Sequence, residues 1–164
     1  MLEILVVVVI IAVMTTIAVL SIGVLGGDRE LDSEGDRFTD VIAAAEEQAE
    51  LEGRDYGVWF GPARYEVLAF SVLHQRWEPL PDDRLYMEHD MPAGVTTDLS
   101  MEGRPVKIGL DAATTVRVPQ VILFASGDCS PYHLVFGREG ADTQWTIDGL
   151  ADGTLQVTRP GAKP

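Results

Sequence analysis

Residues 2–25 read LEILVVVVIIAVMTTIAVLSIGVL. One acid, Glu3, heads this run, and no further charge occurs before Asp28. From Ile4 to Leu25 there are about 22 uncharged residues. As an α-helix rising ~1.5 Å per residue they span roughly 33 Å, the thickness of a bilayer's hydrocarbon core. A cleaved signal peptide needs a basic n-region and a shorter apolar stretch. Here the first basic residue is Arg29. A run of Val, Ile and Leu this long and unbroken also argues against a helix buried in a small globular core. Residues 1–25 are therefore expected to form a membrane helix.

The remainder, residues 26–164, reads as one soluble domain with scattered Gly and Pro. All 12 Lys and Arg and 25 of the 26 acids follow the apolar run, so this part carries −13 (12 − 25). Such a surface repels phosphate backbones and anionic headgroups, and no nucleic-acid partner is expected. The single cysteine, Cys129, excludes an intrachain disulfide and reads as a small buried hydrophobe.

Immediately after the apolar run the pattern becomes amphipathic. Phe38, Val41, Ile42, Ala45 and Ala49 recur at helical spacing, with Leu31 extending the stripe backwards. Asp, Glu and Gln fill the opposite face. Gly53 stands where a C-capping glycine belongs, so a helix over 28–52 is expected. No proline occurs before Pro62, so one nearly continuous helix of about 50 residues is expected, with Gly26 and Gly27 able to bend it.

From residue 54 to 159 the period shortens. Strands are expected at 56–60 and 65–70 around the turn 61–64. Others follow at 75–78 (closed by Pro79 and Pro81), at 95–101 and 105–108 around Glu102-Gly103, and at 120–124 and 132–136 around a Gly/Ser/Pro turn. The set closes with 143–147 and 155–158. Short turns favour antiparallel pairing, and the stripe on the soluble half of the helix needs a sheet to cover it. The expected fold class is α+β: a long N-terminal helix, half transmembrane and half amphipathic, packed on antiparallel sheet.

The stretch LEILVVVVIIAVMTTIAVLS resembles the N-terminal segment of type IV pilins and type II secretion pseudopilins, matching from the fourth position of the processed family segment onward. Two later stretches, GGDRELDSEGDRFTDVIAAAEEQAELEGRDYGVWF and VILFASGDCSPYHLVF, resemble the H-type minor pseudopilins. The resemblance implies a pilin-like fold, with 1–25 serving as a transmembrane and filament-core helix and 26–164 as a periplasmic domain. It implies a single-pass protein of the bacterial inner membrane that joins the periplasmic pseudopilus and helps export folded proteins across the outer membrane. Leader cleavage and N-methylation are implied for the full precursor.

The partners it implies are the major pseudopilin, the minor I, J and K types, the inner membrane, and secreted substrates. Glu3 would be the family's assembly glutamate, paired with the N-terminal charge of a neighbouring subunit to set axial register. The runner-up is a minor pilin of a type IV pilus, for DNA uptake or adhesion. DNA binding wants a basic surface, which this domain lacks. A third reading is a membrane-anchored periplasmic module binding an exported substrate.

Other constellations carry little chemistry. Glu88-His89-Asp90 are adjacent residues expected on a loop, a poor arrangement for ligating one metal. Asp148 to Gly153 departs from a calcium-loop spacing. His74 and His133 fall in strand patterns. Trp59, Trp77 and Trp145 suit core or sheet packing. Thr15, Thr16 and Ser21 suit helix contacts or bonds to their own helix. No nucleophile elbow, phosphate loop, paired-Cys or His-based zinc motif is present. Neither an enzymatic activity nor a cofactor is expected.

Overall fold

The computed structural model describes residues 2–80, 83–109, 117–138, 140 and 144–159, and the side chains of these except for residues 2–5 and 16–28. The first element is a single helix, α1 (Leu2–Glu52), of 51 residues. Its backbone runs through Gly26 and Gly27 without interruption. It ends in a Schellman-type cap. Gly53 adopts φ 62°, its N–H donates to the Glu50 carbonyl (3.3 Å), and the Arg54 N–H donates to the Ala49 carbonyl (3.2 Å).

Ten strands follow: β1 (Tyr56–Gly61), β2 (Arg64–Ser71), β3 (Arg76–Pro79), β4 (His89–Asp90), β5 (Val95–Met101), β6 (Arg104–Pro105), β7 (Val121–Leu123), β8 (Tyr132–Arg138), β9 (Gln144–Gly149) and β10 (Leu155–Thr158). They form two five-stranded sheets. Sheet A runs β3-β2-β1-β7, with β4 also pairing β2, and sheet B runs β10-β9-β8-β5-β6. Among the described residues every pairing is antiparallel.

The soluble half of α1 lies where the two sheets meet. Phe38 packs at ring-centroid distances of 5.8 Å from Phe60 and 5.2 Å from Tyr65 in sheet A, and 5.3 Å from Phe136 in sheet B. Leu31, Phe38, Val41, Ile42, Ala45 and Ala49 are all buried. The larger of these contribute roughly 1.5–3 kcal/mol each by leaving water. Small residues at 45 and 49 let the helix approach the sheets closely.

The turns explain the registers. Pro62-Ala63 closes the β1–β2 hairpin, with Gly61 opposite Arg64. Glu102 (φ 50°) and Gly103 (φ 72°) both take positive φ, the geometry of a type I′ turn, whose twist matches the flanking strands.

Four expectations are corrected. The segments 120–124 and 132–136 are not hairpin partners. The chain turns back only as far as an isolated bridge between Leu123 and Cys129, with Ser130 bonded to Ile122. Pro131, which lacks an N–H, then ends that pairing, and β8 joins sheet B while β7 joins β1 in sheet A. The expected strand 105–108 shrinks to Arg104–Pro105, because only the Val106 N–H continues the ladder, to Leu99. His74 lies in the β2–β3 turn, not a strand, next to Gln75 at φ 52°. Finally, His89-Asp90 forms a strand on β2. The expected strand start at Thr143, and Pro81, lie outside the described residues.

Candidate functional site: a bare helix and the surface around it

Among the described residues no helix is long and apolar enough to cross a membrane. The apolar stretch whose side chains are described runs from Val6 to Thr15. Within it Val6, Val7, Val8, Val9, Ile10, Ile11, Val13 and Met14 are 48–68% exposed. Among the described residues nothing covers them. Such a continuous apolar surface marks a membrane or protein contact. Thr15 turns its hydroxyl back to the Ile11 carbonyl at 2.7 Å, which leaves this face without a free polar group at that position. Glu3 lies in the helical backbone, while its side chain lies outside the described residues.

Where α1 enters the domain, its apolar stripe is broken by one buried acid, Glu34. Glu34 Oε2 meets His89 Nε2 at 2.9 Å, which ties β4 to the helix. Burial, with Glu34 alongside, pushes the Tyr65 phenol up. Glu88 goes elsewhere. It pairs with Arg64 (2.7 Å) and with Arg117, and the Arg64 bond holds its carboxyl below the usual range. The trio 88–90 therefore diverges and does not converge on one point.

Arg117 also pairs with buried Glu66 and lies over the Trp59 ring, 4.5 Å from its centroid. This pins the chain entering β7 to the outer face of sheet A. Gln120 fastens it further, its Oε1 accepting the Phe60 N–H at 2.8 Å. Sequence reasoning missed this clamp, since its members are dispersed between residues 59 and 117.

Near the C-terminal end of α1, burial and the neighbouring Glu50 push Glu46 up to about 7. Burial, with Glu46 next in effect, raises Cys129 to about 11 and also raises Tyr132. The thiol, bonded to the Leu150 carbonyl at 2.9 Å, is a buried and unreactive group.

The tryptophans divide. Trp59 and Trp145 are buried, and half-buried Trp77 packs edge-on against Phe70 at 5.3 Å. The Trp145 N–H donates to Asp32 at 2.8 Å.

On the outer face of sheet B, Ser100, His133 and Asp148 lie abreast on three strands, with His133 Nδ1 2.6 Å from Asp148 Oδ1. Two open depressions of about 420 and 440 Å³ share Ser100 and His133. The residue types are those of an acyl-transfer relay, but Ser100 sits inside a strand whose N–H groups are engaged in the ladder. Among the described residues no donors converge there on a developing oxyanion. Of the Asp148–Gly153 stretch, Asp148 and Gly149 end β9 and residues 150–153 form the turn into β10. Asp152 Oδ1 accepts the Thr154 N–H at 3.0 Å, and the Leu150 N–H donates to the Thr154 carbonyl at 2.9 Å.

No family model matches the chain. Type II secretion system protein H of Pseudomonas aeruginosa strain PAO1 is 30% identical over 167 residues, covering 97% of this chain and 95% of that protein. The protein of the same description from Aeromonas hydrophila is 26% identical over 158 residues, covering 93% and 86%. Among solved structures, the minor pseudopilin EpsH from the type II secretion system of Vibrio cholerae superposes with a TM-score of 0.70 at 22% identity, over 82% of this chain and 99% of that one. That likeness is one of fold: a helix seated on two antiparallel sheets. With identity at this level along nearly the whole length of both sequences, the chain belongs to the H-type minor pseudopilins of type II secretion.

Proposed function

We propose that the chain serves as a minor structural subunit of the periplasmic pseudopilus, helping folded proteins cross the outer membrane. Residues 1–25 hold it in the inner membrane before assembly and in the filament core afterwards, with 26–164 in the periplasm. The observation that carries this reading is the apolar face from Val6 to Met14, left bare by the domain and continuous with the helix seated in it. Lipid covers that face in the waiting subunit, and neighbouring helices cover it in the filament. The protein acts by assembly and not by catalysis. Its partners are the major pseudopilin and the minor I, J and K types.

Glu3 supplies the register. A carboxylate costs roughly 2.5–3.5 kcal/mol at the bilayer centre and less near the headgroups, where position 3 keeps it. Inside a filament it requires a partner, and the N-terminal charge of an adjacent subunit is one. Apolar helices alone slide past each other with little preference, so this pair selects one axial position. In the full precursor, Glu3→Leu is expected to leave membrane insertion intact and to abolish recovery of the chain in sheared pseudopili. Normal incorporation of the variant would sink the role given to Glu3. The surface charge of −13 speaks against the DNA-uptake pilin as the alternative.

A further inference from the structure

Among the described residues the two sheets have four sides at which another strand could add, and three are guarded. On one side of sheet A, β3 carries Arg76, Glu78 and Pro79, and the short β4 is His89-Asp90. On its other side, β7 is only three residues long and is closed by Ser130, whose N–H donates to the Ile122 carbonyl at 2.9 Å. In sheet B, β6 is the two residues Arg104-Pro105, and the part of β5 that it leaves unpaired, Val95–Asp98, carries the charge of Asp98. Charges, proline, shortness and covering loops are the usual means of blocking an edge. The fourth side is β10, Leu155-Gln156-Val157-Thr158, which has no charge and no proline. Among the described residues no strand pairs with its outer edge.

The register shows which groups that edge presents. The Leu150 N–H donates to the Thr154 carbonyl, so 150 and 154 form a hydrogen-bonded pair. Such pairs alternate along an antiparallel ladder. Gln156 with Asp148 and Thr158 with Thr146 are then bonded pairs, while Leu155 and Val157 turn their N–H and C=O groups outward. Val157 is 36% exposed, and its neighbours Gln156 and Thr158 are exposed too. The strand also flanks α1, for Arg159 reaches Asp36 at 2.9 Å and lies 5.4 Å from the Trp145 ring centroid.

We propose that β10 is a strand-addition site, taken in the assembled filament by an extended segment of another pseudopilin. This rests on the reading of the chain as a pseudopilus subunit. The occupant is uncharged where it lies along Leu155 and Val157, since Val157 offers an apolar surface. It is not a second copy of this chain. Each copy's domain carries −13, and beside β10 Asp36 is paired with Arg159 and Asp148 with His133 while Asp152 stands exposed, so two copies repel through their net charge. A partner with basic residues beside its strand meets the acidic surface and Asp152 instead. The site lies beside the domain half of α1, at Asp36.

The test uses the full chain, free in detergent micelles and assembled with the major pseudopilin and the minor I, J and K types. Amide exchange of the 154–159 segment is expected to slow at least about tenfold on assembly. Val157→Pro removes an outward N–H without touching the β9 ladder, a position where an edge strand tolerates proline. Its incorporation into pseudopili is expected to fall about tenfold, equivalent to ~1.4 kcal/mol, while Val157→Thr incorporates like the wild type. If Val157→Pro melts well below the wild type, Val157→Lys replaces it, and the exchange measurement stands independently. Wild-type incorporation with unchanged exchange at 154–159 overturns the proposal and leaves the functional reading standing. So does normal incorporation of the folded proline variant. Failure of the wild-type chain to enter pseudopili at all overturns both.

Discussion

Glu46 faces Tyr132 and Cys129 across the seam between α1 and sheet B, with Glu50 one turn along the helix. Its pKa is raised from 4.5 to about 7, so the folded chain holds this proton more tightly than the unfolded chain does. The stability it contributes is complete below about pH 4.5 and is lost as pH rises through about 7. Carboxylates whose pKa is lowered, such as Glu88, act in the opposite direction, so the informative quantity is a difference. The melting temperature of the Glu46→Gln variant minus that of the wild type is expected to be small at pH 5 and positive at pH 8. A flat difference over this range would remove Glu46 as the titrating group. None of this was legible in the sequence. Glu46 reads there as one polar residue on a polar helix face, and its environment is set by β8 and the 150–153 turn, about a hundred residues away.

Among the secondary-structure elements, local signals were legible and distant ones were not. The stripe from Leu31 to Ala49, the cap at Gly53 and the turns at 61–64 and 102–103 each depend on a few neighbouring residues. The departure of β8 to the second sheet depends on Pro131 together with a partner, β5, about thirty residues earlier. The His89–Glu34 link joins residues 55 positions apart, and no local pattern announces it.

Helix and sheet also constrain each other at Gly35. A Cβ built there would fall 2.2 Å from Trp145 Cδ2. The indole cannot easily withdraw, because its N–H is bonded to Asp32 and Arg159 lies against its ring. Alanine would gain ~1 kcal/mol in helix propensity, but overpacking a rigid ring costs typically 1–3 kcal/mol. Gly35→Ala is therefore expected to lower the melting temperature, read by near-UV circular dichroism of the Trp band. A rise would mean that Trp145 repacks freely.

For the whole molecule, the hydrophobic core and the bare apolar face lie on different stretches of one helix. Every buried apolar side chain among the described residues lies at Leu31 or beyond. The full chain is therefore expected to stay in the membrane pellet after an alkaline carbonate wash, whereas a chain starting at residue 29 stays in the supernatant with an unchanged near-UV spectrum. Release of the full chain by the wash would contradict the anchoring role of the N-terminal half.

The unbroken course of α1 has a mechanical consequence. A rod of 51 residues at ~1.5 Å each is about 77 Å long, and each residue advances it by about 100° of rotation. A slip of one residue at its buried end would lift the head by only ~1.5 Å but swing it through more than a quarter turn. The compass bearing of β10 around the filament axis is thus dictated from the opposite tip of the rod, and whatever anchors that tip also steers the head.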